Sequence, residues 1–245
     1  MSSSYIIGIA GFKRCGKDTL ARAIANTAQA RGMATAIIAF ADPLRQAAAA
    51  AYGINAAEFT DDALKDRVVE AWGITRRQML INLGEAMRGI DPDHWVKAWR
   101  RAVYERSRIE RTVLASLAGS YSAVARNPTL VIAPDLRFTR EAVAIHSLNG
   151  LNVLLRRDGV TWDGHINEVL AETAQHRNDA LAAQLGCHYA ASNPMSIATT
   201  SRHIFDCDVD NPVSRRQVEP ATEQQRRQLD SMAAAILDRA MQGKH

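Results

Sequence analysis

The first regular pattern in the chain is a short apolar run, Tyr5-Ile-Ile-Gly-Ile-Ala10, closed by Gly11. A run of that length without polar alternation reads as a strand buried on both faces. Lys17 to Arg31 then sets Leu20, Ile24 and Ala28 on one side of a helix, with Gly32 as its stop. Ala34 to Phe40 is a second apolar strand, and Leu44 to Tyr52 an alanine-rich helix ended by Gly53. Strand, loop, helix, strand is the opening of a doubly wound parallel sheet.

The pattern then loosens. Ile54 to Ile74 is polar and mixed, an exposed excursion with short helical pieces. Thr75 to Met87 is expected as a helix with Thr75 as N-cap, and a second helix should run from Asp93 through the 110s, ending before Asn127-Pro128. Thr129 to Asp135 reads as the third strand, Arg137 to Leu148 as a helix stopped by Asn149-Gly150, and Leu151 to Leu155 as the fourth strand. Ile204 to Val209 is the fifth strand and Thr222 to Met241 a terminal helix. The polar stretch from Arg156 to His203 is too long for a structureless loop, so Ala171 to Leu185 is expected to be helical.

Composition narrows the class. Hydrophobic residues make up 47% of the 245, enough for a sizeable core. No stretch of about 18 apolar residues occurs, so no membrane-spanning helix is expected. Met1-Ser-Ser-Ser-Tyr5 lacks a basic segment before an apolar one, which argues against a signal peptide. Cys15, Cys187 and Cys207 are scattered and odd in number, which suits a reducing compartment, hence the cytoplasm. The formal charge of +4 and pI near 9.1 invite a nucleic-acid reading. Yet arginines such as Arg76, Arg77, Arg88, Arg100 and Arg101 are dispersed with few aromatics between them, so no stacking platform is indicated. A phosphate-handling enzyme needs arginines too, and no nucleic-acid partner is required.

Gly11-Phe-Lys-Arg-Cys-Gly16-Lys17 fits G-x-x-x-x-G-K and lies after a strand and before a helix, where a phosphate cradle has to be. Its glycines permit a tight turn with backbone N–H groups facing a polyphosphate, and the helix adds its positive end. Lys17 would follow charge as it develops on a transferred phosphoryl group, and Lys13 and Arg14 flank the loop. After the lysine stand Asp18 and Thr19 rather than the usual hydroxyl. Asp18 is either a magnesium ligand, directly or through water, or a cap of the helix N-terminus. Asp135-Leu-Arg137 follows the third strand at the edge where open α/β sheets bind ligands. Asp135 is placed to orient a metal-bound water or acceptor, Arg137 to hold a phosphate, and Glu141 shares the helix face of Arg137; a surface ion pair is the alternative. Arg45, Arg77 and Arg88 are further candidates, and Arg156 and Arg157 sit where the arginines of a closing lid would start. Cys187, His188, His203 and Cys207 do not fit zinc-ligand spacing.

Gly11 to Thr19 resembles the G-x-K-R-S-G-K-D-T cradle of bacteriophage deoxynucleoside monophosphate kinases. The likeness continues in order through Phe40-Ala-Asp-Pro-Leu-Arg45, Thr75-Arg-Arg-Gln-Met-Leu80 with Leu83-Gly84, Trp95-Val96, Pro134-Asp-Leu-Arg137 with Glu141, and His165-Ile-Asn-Glu168. The resemblance implies an α/β P-loop kinase fold, a five-stranded parallel sheet flanked by helices, in a single domain 1–245. Its core would be 1–53, 128–157 and 203–245, with a helical acceptor-binding insertion at 54–127 and a lid at 158–202. It implies transfer of the γ-phosphoryl of ATP, with Mg²⁺, to a deoxynucleoside 5′-monophosphate. Gly11, Lys13, Arg14, Cys15, Gly16, Lys17, Asp18, Thr19 and Arg156 would hold ATP and its metal, Asp18 being the metal ligand. Arg45, Arg77, Gly84, Arg88, Trp95, Asp135, Arg137 and Glu141 would hold the monophosphate, and Lys17, Asp135 and Arg137 would act in the transfer. The small-molecule acceptor would be the partner, no membrane is involved, a homodimer is compatible, and the setting would be the cytoplasm of a phage host. Departures stand at Ile81-Asn82, Glu85 and Asn167, and Val169 to His203 looks like an insertion. A phosphomevalonate kinase-like enzyme and a nucleic-acid-associated ATPase are the rival readings.

Overall fold

The structure is a computed structural model and describes residues 4–118, 129–160, 205–212 and 221–242. It divides into two compact units, one formed by 1–37 and 107–245, the other by Ile38–Arg106.

The first unit is a five-stranded parallel sheet in the order β2–β5–β1–β6–β7, as the strand–helix pattern predicts. Its strands are β1 (Ser4–Ala10), β2 (Ala34–Ile37), β5 (Thr129–Leu136), β6 (Leu151–Arg157) and β7 (Cys207–Asn211). Ile7, Ile9, Leu130, Ile132, Val153 and Leu155 are buried, the continuous apolar signature of strands covered on both sides. Helix α1 (Lys17–Ala30) lays Leu20, Ile24 and Ala28 into this core, joined by Ile236 and Leu237 of the terminal helix α6 (Glu223–Gln242). The apolar spacing of α1 thus does what periodicity predicts: it buries one stripe and leaves Arg22 and Thr19 outside.

β5 is irregular where it matters. Gly8 pairs with Ala133 but Ala10 with Leu136, so β5 carries an extra residue at Pro134-Asp135. Pro134 has no N–H to give the ladder, which is where a strand accommodates a bulge. The bulge re-aims the residues that follow. Helix α5 (Thr139–His146) starts two residues later than the expected Arg137, and Asn149, at φ 54°, takes the left-handed turn expected of its stop.

β6 runs to Arg157, beyond the expected end at Leu155, because Arg156 and Arg157 stay in register with Asp210 and Asn211. The two arginines therefore end the strand, within the expected core segment 128–157.

The second unit holds α2 (Asp42–Tyr52), a 3₁₀ turn (Ala56–Phe59), the hairpin β3 (Val68–Val69) and β4 (Ile74–Thr75), α3 (Arg76–Ile90) and the first turns of α4 (His94–Ala118). Its small core gathers Ala48, Phe59 and Met79, with Tyr52, Val69, Ile74 and Leu83 against them. Thr75 caps α3 as expected, in a reciprocal box with Gln78. The apolar stretch after Ile37 leaves the sheet for another apolar partner: Phe40 stacks on Trp99 at 4.2 Å, and Trp99 Nε1 donates to the Ile38 carbonyl at 2.9 Å. Among the described residues no helix is long and apolar enough to cross a membrane.

Candidate active site

In a parallel sheet every strand delivers its carboxyl end to the same edge. Here that edge collects the loop after β1, the Asp135–Arg137 turn after β5, and the ends of β6 and β7.

The loop from Gly11 to Gly16 has the dihedrals of a tight cradle. Gly11 (φ 149°) and Gly16 (φ 101°) occupy conformations that side chains rarely adopt. At Gly11 space forbids a side chain as well, since a Cβ would strike the Leu155 carbonyl and Cys15 Sγ; one on Gly16 would meet Asn211 Nδ2 and displace it. Arg14, at φ 67°, is the residue that bears the turn without being glycine. Cys15 is buried and closes the turn, its N–H donating to the Phe12 carbonyl at 3.2 Å. Lys17 bends back over the loop and donates to the carbonyls of Gly11 (2.6 Å) and Phe12 (2.9 Å). Lys13, Arg14, Asp18 and Thr19 are exposed on the loop and first turn of α1.

Asp18 does not cap the helix. The N-cap is Gly16, in the left-handed conformation with no side-chain cap, so Asp18 falls at the second helical position. A carboxylate there is favoured by the helix dipole and is open to a ligand. Of its two readings, only metal contact survives as a proposal.

The second half of the edge is organised by Glu141. Its Oε2 accepts the backbone N–H groups of Arg137 (2.8 Å) and Phe138 (3.0 Å), holding the Arg137 backbone out of the helix. Burial, reinforced by the nearby Asp135 charge, pushes the Glu141 carboxyl up to about 8 against the pull of the two N–H groups and Arg137. Arg137 itself is exposed and Asp135 half-buried.

Five further candidates lie in the Ile38–Arg106 unit in three settings. Trp95 is buried, and its Nε1 donates to the Gly84 carbonyl at 3.1 Å, tying α4 to α3. The Arg88 guanidinium folds over Gly84, and Leu44 of α2 lies close on the same glycine; a Cβ there would sit 3.3 Å from Leu44 Cδ2. Arg77 forks Asp66 at 2.5 and 2.9 Å on the loop before β3. Arg45, paired with Asp42 at 2.6 Å, lines a cleft of about 420 Å³ together with Asp42, Gln46 and Thr60.

Sequence reasoning missed Asn211. Its Nδ2 donates to the Cys15 carbonyl at 2.8 Å across 196 residues of chain. Arg157, expected where a lid would start, donates Nη1 to the Arg14 carbonyl at 2.9 Å. The signal for Asn211 is faint: two polar residues, Asp210 and Asn211, stand before Pro212, beyond the expected strand end at Val209. His165, Asn167, Glu168, Cys187, His188 and His203 lie outside the described residues, as does most of the expected lid. Among the described residues no cluster of three or more His, Cys, Asp or Glu forms a metal centre by itself.

No family model matches the chain. No curated protein matches it either. Among solved structures the chain is similar to a gluconokinase from Sinorhizobium meliloti 1021, at 17% identity over 100% of this chain and 98% of that one, with a TM-score of 0.33.

Proposed function

We propose that the chain is an ATP-dependent small-molecule kinase whose acceptor is a deoxynucleoside 5′-monophosphate. The observation that carries the kinase reading is the loop itself. Two glycines in conformations that side chains rarely adopt and a lysine curled over the loop stand between a buried strand and a helix N-terminus. Phosphoryl transfer asks little covalent chemistry of a protein; it asks for positioning and charge neutralisation. Lys17, moving from the loop carbonyls to the β- and γ-phosphates, would supply the first positive charge. Lys13 and Arg14 would add to it from the exposed rim, with Thr19 and Arg156 close to the nucleotide. Magnesium fits the donor set, since Asp18 is an exposed hard carboxylate one residue after Lys17; it would hold the ion, with Asp135 orienting its water, and the ion would neutralise phosphate oxygens.

Arg137 would hold the acceptor phosphate, its backbone kept extended by Glu141. Arg45, Arg77 and Arg88 are the further acceptor-side cations, and the cleft at Arg45 is large enough for a small phosphorylated molecule. One observation favours the rival acceptor class. Among the described residues no aromatic lines that cleft, and Trp95 is buried with its N–H engaged, so a stacked base has little support there. A non-nucleotide phosphate acceptor, as in phosphomevalonate kinase-like enzymes, therefore stands as the second reading.

The deciding experiment is ADP release with MgATP plus each dNMP, each NMP and mevalonate 5-phosphate. Stimulation by one or more dNMPs supports the reading. Stimulation by mevalonate 5-phosphate alone moves it to the second, and no stimulation by any acceptor ends both.

A further inference from the structure

We propose that Asn211 is a positioning residue of the glycine-rich loop, setting its affinity for a nucleotide polyphosphate by fixing the direction of the Gly16 N–H. The inference rests on the reading of that loop as a nucleotide cradle.

Asn211 is the last residue of β7, an edge strand, and its side chain crosses to the loop after β1. Nδ2 donates to the Cys15 carbonyl at 2.8 Å. The partner is an acceptor only, which settles which end of the amide faces the loop. A trans peptide is planar, with the carbonyl of one residue and the N–H of the next pointing opposite ways. Pulling the Cys15 carbonyl towards β7 therefore turns the Gly16 N–H away from β7, and the N–H of that glycine is one of the donors a phosphate cradle uses. A Cβ at Gly16 would meet Nδ2, so this contact and a side chain at Gly16 are mutually exclusive. The preceding peptide is held in the same manner, Arg157 Nη1 donating to the Arg14 carbonyl at 2.9 Å, where Arg14 is at φ 67°. Two successive carbonyls are thus drawn outward by side chains from the ends of two neighbouring strands. Unlike Arg157, Asn211 carries no charge, so its loss removes geometry without removing an attraction for phosphate.

The test uses the full-length chain and MgATP, measured by calorimetry, with adenosine as a ligand that has no phosphates. Asn211→Ala is expected to raise the ATP dissociation constant about 10-fold and leave that of adenosine within about twofold. Asn211→Asp, isosteric but facing the Cys15 carbonyl with oxygen, should weaken ATP further, and Asn211→Ser, which keeps a donor, should recover part of the loss. If Asn211→Ala fails to fold, the Asp and Ser variants carry the comparison. ATP affinity within twofold of wild type in every variant would overturn the proposal, and so would an equal loss for adenosine, which marks a purely structural role. A wild-type chain that does not bind ATP would instead overturn the cradle reading underneath it.

Discussion

Glu141 Oε2 accepts the Arg137 backbone N–H at 2.8 Å, so a buried carboxyl at the site edge holds in place the backbone of an exposed arginine. The relationship has a pH signature. The Glu141 carboxyl is pushed up to about 8 by burial and by Asp135, whereas in the unfolded chain it titrates in the ordinary carboxylate range. Between those two values the folded state binds more protons than the unfolded, so stability falls as pH rises through the window. The full span corresponds to on the order of 5 kcal/mol. Glu141→Gln keeps an acceptor for the two N–H groups and cannot ionise. It should match wild type in thermal unfolding near pH 5 and exceed it near pH 9; parallel curves for the two proteins across that range would rule out the assignment.

Arg137 offers a cleaner probe of chemistry, because its contact with Glu141 is made by the backbone and survives truncation. Arg137→Ala should raise the KM for the accepted monophosphate about 10- to 100-fold, the worth of a charge-assisted hydrogen bond of roughly 1.5–3 kcal/mol. The KM for ATP should stay within about threefold, and Arg137→Lys should recover a point charge but not a bidentate grip. Initial rates with each substrate varied in turn decide it: equal effects on both KM values would remove Arg137 from the acceptor side.

Trp95 has two roles to choose between, and the obvious truncation does not separate them. The ring is buried and its N–H is held by Gly84, so Trp95→Ala should cost about 3–5 kcal/mol and destabilise the Ile38–Arg106 unit whatever the substrate. Trp95→Phe keeps most of the packing and loses one hydrogen bond, roughly 1 kcal/mol. We expect this variant to lower the melting temperature by a few degrees and to leave acceptor KM values within about twofold. A changed preference among the four dNMPs would return the indole to the base pocket.

What could be read in the sequence divides along physical lines. Strands β1 and β5 announce themselves as unbroken apolar runs because both their faces are covered, and Gly11, Gly16 and Lys17 because a phosphate loop needs them at fixed spacing. Asp135 and Arg137 were legible as residues following a strand. The bulge at Pro134 that aims them was not, since register belongs to the pair β1–β5 and not to either strand. Likewise the two-residue hairpin at Val68–Val69 and Ile74–Thr75 is too short to show alternation. Asn211 and Arg157 were illegible as loop struts for another reason: each serves a backbone carbonyl far away in sequence, and carbonyls are the same in every residue.

Lys17 supplies the last prediction. In the structure its ammonium is satisfied by the carbonyls of Gly11 and Phe12, contacts within its own loop that contribute little to the packed core. Truncation should therefore leave folding nearly intact while removing the charge that tracks the transferred phosphoryl. Lys17→Ala is expected to melt within a few degrees of wild type and to lose about 100-fold or more in ADP release, in line with the removal of a single transition-state donor. Lys17→Arg should not restore the rate, because a planar guanidinium does not reproduce the compact point charge that Lys17 carries over the Gly11 and Phe12 carbonyls. A Lys17→Ala protein that folds and turns over at close to the wild-type rate would take the phosphoryl-transfer site away from this loop altogether.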